Sequence, residues 1–262
     1  NGGYIGMLAK IELELSCTSE LSYQMSSMFH GALMELLPAD YADYLHISQL
    51  HPYTQHLETR AGQWFWVVSC LNEEAIEKII GQTLEKLDSI VLKKKNIAIK
   101  IVQKKIEYLS EVQMMKKFYQ EDCSKYIQIH FLTPTAFKQQ GQYVFYPDIH
   151  CIFQSLMAKY DAAVKENQML DDEALEQLCQ NAKIIRYDLK SVNFALEGAK
   201  IPSFIGKITI KMRGTQTMAN FANLLIKFGT FSGVGIKTSL GMGSYKIQNE
   251  GGKRCLQTGK SN

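Results

Sequence analysis

Residues 10 to 15, "KIELEL", alternate strictly, with Ile11, Leu13 and Leu15 on one side and Lys10, Glu12 and Glu14 on the other. That period of two predicts a half-buried strand. From Leu21 the period changes: Leu21, Met25, Met28, Phe29, Ala32, Leu33 and Leu36 recur at helical spacing, a single apolar stripe along one helix. Thr18 or Ser19 is the expected cap, with Glu20 in the first turn. At about 100° per residue, His30 falls opposite the stripe, beside Tyr23, Ser27 and Met34, so it is not a core histidine.

The pattern then repeats in kind. "LPADYADYLHISQLHPYTQHL" reads as a turn, a short helical piece and a polar loop, "GQWFWVVSC" as a strand, and "NEEAIEKIIGQTLEKL" as a helix capped by Asn72. "SIVLKKKNIAIKIVQKKIEYL" is strand material broken near Lys95 and Asn96. The second half offers a strand stopped at Pro134 and a helix opened by Pro147 and Asp148. Two long strands, "AKIIRYDLKSVNFAL" and "KIPSFIGKITIKMRG", follow, then a helix "TQTMANFANLLIKFG" and a closing strand "GSYKIQ". The polar stretch "KENQMLDDEALEQ" reads as an exposed insertion. The first half gives the order strand, helix, strand, helix, strand, and the second repeats it with two long strands in the middle, which predicts an α+β protein of two tandem ferredoxin-like (RRM-like) domains with antiparallel sheets. The division is expected where charge is dense and periodicity is lost, giving domains 1–117 and 118–262.

Composition narrows the picture modestly. The net charge is +3, and most of the 29 cations are lysines, several in runs such as Lys93 to Lys95; such runs are ordinarily solvated faces. The six cysteines are scattered without a C-x-x-C pair, which argues for reduced thiols in a cytoplasmic protein over a disulfide framework or zinc site. No apolar run reaches the roughly 18 residues that span a bilayer, so no membrane partner is expected.

The sharpest local feature is "FSGVGIKTSLGMGSYKI", Phe231 to Ile247, where Gly233, Gly235, Gly241 and Gly243 surround Lys237 and Thr238. A phosphate-binding P-loop needs glycine directly before the lysine and a helix after it; here Ile236 intervenes and a helix precedes. G-x-G-x-x-G also fails, because Thr238 stands at the third glycine position. A mononucleotide fold is excluded. Two readings remain: a glycine-rich bend with Lys237 and Thr238 at its tip, lying along a polynucleotide backbone, or a loop that packs tightly under a helix.

This loop, with the Leu-His and Pro-aromatic pairs of "YLHISQLHPY" and the stretch "FLTPTAFKQQGQYVFYPDIHCIFQSLMAKY", resembles the Cas6 family of CRISPR precursor-RNA processing endoribonucleases, a branch of the RAMP proteins. The resemblance covers most of the chain. It implies tandem ferredoxin-like domains and a glycine loop, including Gly233, Gly235, Gly241 and Gly243, that holds the RNA backbone. It also implies cleavage without metal or other cofactor: the 2′-OH attacks the adjacent phosphate, leaving a 2′,3′-cyclic phosphate and a 5′-OH. The implied partner is CRISPR repeat RNA, as precursor and as product, with other Cas effector subunits and a second copy of the chain as further candidates. The rival within the resemblance is a non-catalytic RNA-binding RAMP subunit of an effector complex.

Such a reaction needs one group to take the 2′ proton, one to protonate the leaving oxygen, and cations for the developing charge. Histidine suits proton transfer near neutrality. By the resemblance His46, in the Leu-His position, is the first candidate for general base and His30 the second. Some relatives carry a lysine near this loop, yet none occurs between Lys10 and Lys78. The second group is therefore open among His51, Tyr44 and a residue of the second domain. His130 and His150 read as structural. On the long strands, Arg186, Lys190, Lys207, Lys211 and Arg213 are candidates for gripping RNA, and alternation places Lys207, Lys211 and Arg213 on one face.

Overall fold

The computed structural model describes residues 6–48, 51–120, 122–164 and 171–248. The first unit opens with β1 (Met7–Ser16), whose buried positions Ile11, Leu13 and Leu15 keep the predicted alternation. The first helix starts later than the sequence suggested. Ser22, not Thr18 or Ser19, is the cap, its hydroxyl accepting from the Gln24 N–H, and a 3-10 turn leads into α1 (Ser26–Leu36). The apolar stripe Met25, Phe29 and Leu33 packs on the sheet. Helix α2 (Ala39–Ile47) follows, then the hairpin β2 (Tyr53–Arg60) and β3 (Gln63–Cys70). Asn72 caps α3 (Glu73–Ala75) as expected, accepting from the Ala75 N–H at 2.9 Å, and the chain continues as a π-helical turn over Ile76–Gly81. Strands β4 (Ser89–Leu92) and β5 (Ile97–Ser110) flank the predicted break. The sheet order is β2-β3-β1-β5-β4, so β1 lies between β3 and β5. That is the ferredoxin-like arrangement, with β4 added at one edge.

Helix α4 (Glu111–Gln120) joins the halves. The expected division after Lys117 falls inside it. The helix carries dense charge, but Met114 is buried in the core of the second unit, so its apolar residues sit at helical spacing where the sequence reading saw no period.

The second unit comprises β6 (Tyr126–Thr135), a small hairpin of β7 (Phe137–Gln139) and β8 (Gln142–Val144), and α5 (Ile149–Ala163) capped by Asp148. Then come α6 (Asp172–Asn181), β9 (Ala182–Leu196), β10 (Ala199–Met212), α7 (Gln216–Ser232) and β11 (Tyr245–Gln248). Its sheet runs β11-β6-β10-β9, all antiparallel. The stretch expected to be an exposed insertion contains α6, which buries Leu175 and Leu178; Lys165 to Leu170 lie outside the described residues. The fold is α+β with two tandem ferredoxin-like units, as the alternation of periods indicated. Among the described residues no helix is long and apolar enough to cross a membrane.

Each unit buries one face of its sheet under helices, and polar side chains knit the two units together. Thr54 donates to the Phe231 carbonyl at 2.7 Å. Gln55, almost wholly enclosed, donates to the carbonyls of Ser26 and Ser239 at 2.9 and 3.0 Å and accepts from the Trp66 indole at 2.9 Å. With all these bonds made, a buried amide stabilises one relative placement of β2, α1 and the loop after α7; with any of them missing it would carry a desolvation cost of about 1–3 kcal/mol.

Candidate active site

The loop after α7 owes its path to close backbone packing. Gly241 has φ +108°, and a Cβ there would lie 2.2 Å from the Ser26 Cβ; Gly243 has φ +73°, and a Cβ would lie 2.0 Å from the Val234 carbonyl oxygen. No other residue fits either place. Several of the loop's N–H groups bond inside the protein: Val234 N–H donates to Gly243 O, Ile236 N–H to Ala136 O, Gly243 N–H to Pro134 O, and Gly235 N–H to the Ser155 hydroxyl. Gly233, Gly241 and Gly243 are buried. The glycines thus let the loop pack closely against Ser26, Ala136 and its own backbone. What the loop offers outward is Lys237, exposed, with Gly235, Ile236 and Thr238 beside it. Lys237 itself has φ +55°, a left-handed conformation uncommon for a side-chain-bearing residue and a frequent mark of functional loops.

Lys237 stands on the wall of a cavity of about 1530 Å³ between the two units. The opposite wall is built by the first unit. Helix α1 turns Ser27, His30, Gly31 and Met34 toward it, the face the helical period predicted; the end of α2 contributes Tyr44 and His46, and the entry to β2 contributes His51. All three candidate histidines, Lys237 and Thr238 therefore share one cavity, although the sequence separates them widely.

The three histidines differ in their tethering. His46 is exposed at the cavity edge. The Nδ1 of His30 lies 2.9 Å from the Tyr53 hydroxyl, and the two rings stack with an interplanar angle of 8°. Burial holds the Tyr53 phenol protonated by raising its pKa, and the imidazole tautomer sets which of the two donates. Burial, and then the neighbouring His51 and His46, push His30 down to about 4, against a smaller upward pull from a main-chain bond to Ser239. His30 is a neutral, engaged ring at neutral pH. His51 sits between them, its ring centroid 6.3 Å from that of His30 and 5.6 Å from that of Tyr53. Its Nδ1 is buried with no hydrogen-bond partner among the described residues. Burial lowers its pKa, with contributions from His46 and Lys237.

A second cleft of about 640 Å³ opens on the sheet side of the same seam. Lys190 and Lys207 line it; Arg186, Lys211 and Arg213 line neither cavity. Lys207 and Lys211 do share the outward face of β10, and the Lys211 ammonium lies 5.3 Å above the Tyr126 ring; Arg213 follows the end of that strand. His130, also in the second cleft, has a buried Nδ1 without a partner among the described residues, and His150 is exposed.

Sequence reasoning missed Tyr53, Gln55 and Lys159. Tyr53 is the aromatic of the Pro-aromatic pair, and nothing in that pair shows that its hydroxyl meets His30. Gln55 lies in β2, whose first five residues are all buried because the loop after α7 covers the edge strand on one side; no alternation survives to advertise it. Lys159 is one lysine on an amphipathic helix, and nothing in its spacing distinguishes it.

Comparison with known proteins places the sequence and the fold among relatives. Residues 129–245 match the family described as CRISPR-associated endoribonuclease Cas6. A CRISPR-associated endoribonuclease Cas6 of Streptococcus thermophilus is 37% identical over 84% of this chain and 90% of its own length. One from Mycobacterium tuberculosis is 36% identical over 84% of this chain and 70% of its own. Among solved structures, a Cas6 product complex superposes with a TM-score of 0.76 at 20% identity, covering 93% of this chain and 100% of the other.

Proposed function

The chain belongs to the Cas6 family of CRISPR-associated endoribonucleases, and from that premise we propose that it binds CRISPR repeat RNA and cuts the precursor transcript within each repeat by metal-independent attack of a ribose 2′-OH. The observation that carries the reading is the convergence of His46, His51 and Lys237 on one cavity between the units. His46, exposed, takes the 2′ proton. The 2′ oxygen then bonds to phosphorus, the phosphorus–O5′ bond breaks, and the products are a 2′,3′-cyclic phosphate and a 5′-OH. Lys237 stabilises the negative charge that grows on the phosphoryl oxygens, and fills from the second unit the place of the lysine that the first lacks. His51 protonates the leaving O5′. Its lowered pKa keeps it neutral in the free protein, but a bound phosphodiester supplies the opposite charge that raises it again, so the acid forms as the RNA arrives.

His30 acts by orientation in this scheme. With Tyr53 on one nitrogen and the Ser239 main chain as a further partner, it lacks the freedom of His46. Gly233, Gly235, Gly241 and Gly243 shape the loop that presents Lys237 and Thr238 to the backbone of the RNA. Lys190 and Lys207 hold phosphates farther along the strand in the second cleft; Lys211, Arg213 and Arg186 extend the basic surface beyond it.

The test is incubation with repeat RNA in EDTA, with and without a 2′-deoxy substitution at the cut site. Cleavage in EDTA that stops on 2′-deoxy substitution supports the mechanism. A divalent requirement, or cutting of the 2′-deoxy strand, refutes it. Tight binding without product would favour the RNA-binding subunit instead.

A further inference from the structure

Lys159 lies on α5, one helical turn from the buried Leu156 and beside the buried Tyr160, at the floor of the histidine cavity. The residue is half-buried and lines the cavity, with its ammonium bonded to the protein. The ammonium donates to the carbonyls of Ser232 and Gly233 at 3.2 and 3.4 Å and to the Thr238 hydroxyl at 3.1 Å. The first two partners are the end of α7, where unpaired carbonyls and the helix dipole favour a cation. The third is the neighbour of Lys237. One side chain therefore fastens both ends of the segment that carries Lys237.

The cation has no carboxylate partner among the described residues, and burial lowers its pKa to about 7. An uncompensated buried charge is costly. Neutral donors could tie the same carbonyls and hydroxyl at less cost, and a hydrophobic residue could fill the same volume. What a lysine adds is reach: one terminal nitrogen ties the end of α7 and the Thr238 hydroxyl together.

We propose that Lys159 is a positioning residue for RNA cleavage, holding Lys237 in register with His46 and His51 through Thr238 and the end of α7. The inference rests on the ribonuclease reading above. It acts through Lys237, so its effect belongs in the rate of the chemical step more than in RNA affinity, and should vanish when Lys237 is gone.

The experiment is single-turnover cleavage of repeat RNA, alongside measured RNA affinity and thermal melting, for wild type, Lys159→Met, Lys237→Ala and the double variant. A displacement of about an ångström at a reacting centre costs about 100-fold. Lys159→Met should therefore slow cleavage by about 10- to 100-fold, with the affinity close to wild type. In the Lys237→Ala background the same change should cost little more, since residues acting through one contact are not additive. An unchanged rate, a loss explained wholly by affinity, or full additivity with Lys237→Ala overturns the proposal. If Lys159→Met does not fold, Thr238→Val decides: it removes the hydroxyl that receives the ammonium and leaves the buried lysine in place. It should slow cleavage in the wild-type background and not in Lys237→Ala; equal rates would count against the proposal. Failure of wild type to cut repeat RNA would remove the ribonuclease reading and this inference together, whereas a cutting wild type with an equally fast Lys159→Met removes only the inference.

Discussion

His51 and His56 lie on one short stretch of chain, and the fold treats them in opposite ways. His51, before β2, faces the large cavity with an unpartnered buried nitrogen, near Lys237. His56, within β2, faces the second cleft, where its Nε2 lies 3.1 Å from the Ser244 hydroxyl and 3.5 Å from Glu58. Around it the polar groups are closed on one another. Arg60 makes a paired bond to Glu12 at 2.7 and 2.8 Å and contacts Glu58. Burial would raise the Glu58 carboxyl, but His56 and Arg60 together hold it down to about 2. The contrast belongs to these two residues: His51 keeps a ring nitrogen without a partner among the described residues, while His56 is engaged, and on the second-cleft side it is His130 that keeps a buried nitrogen without one. Unsatisfied groups await a ligand, while satisfied ones join the units.

Paired substitutions should break that symmetry most visibly. His46→Ala should lower the single-turnover rate by about 10²–10⁴-fold, the span of a lost general base, with RNA binding retained. His56→Ala should leave the cleavage rate near wild type and lower stability to urea by about 1–3 kcal/mol, because Ser244 and Glu58 lose a buried partner. If His56→Ala were the inactive protein and His46→Ala the unstable one, the two sides of the seam would have been assigned the wrong way round.

A smaller effect separates His30 from both. Its pKa is lowered from 6.5 to about 4, by burial first and then by His51 and His46. Between those values the unfolded chain takes up a proton that the folded protein refuses. Stability from this group is therefore complete above pH 6.5 and is lost as the pH falls toward 4. The full loss is on the order of 3 kcal/mol. Thermal unfolding of His30→Gln should show a shallower decline of melting temperature across that window than wild type. Parallel curves would mean that His30 protonates as readily in the folded protein as in the unfolded chain.

The strands and helices were legible because burial in this fold is mostly one-sided. β1 alternates and α1 carries its stripe because each meets one core. Legibility failed where an element has two neighbours or where few apolar residues stand among many charges. β2 is covered on both sides and lost its alternation; α4 and α6 are short, heavily charged helices anchored by a few apolar residues. At the site, the histidines could be nominated because imidazole is scarce and chemically distinctive. Their company could not. That Lys237 crosses from the second unit, and that Gln55 and Lys159 hold it there, depends on contacts between residues far apart in sequence, which no local spacing encodes.

The smallest effect bears on how the cavity side stays poised. Lys237 holds φ +55°, at a cost of about 1–2 kcal/mol for a residue with a Cβ, whereas β2 on the other side of the seam is regular strand. Lys237→Ala and Lys237→Gly both remove the ammonium, and both should slow cleavage to a similar extent. Only glycine also relieves the backbone. Urea denaturation should therefore find Lys237→Gly more stable than Lys237→Ala by about 1 kcal/mol. Equal stabilities would place the left-handed turn at no cost and remove strain from the account of the loop. A glycine variant that cut as fast as wild type would go further: the loop's shape, and not its charge, would then be what the reaction requires.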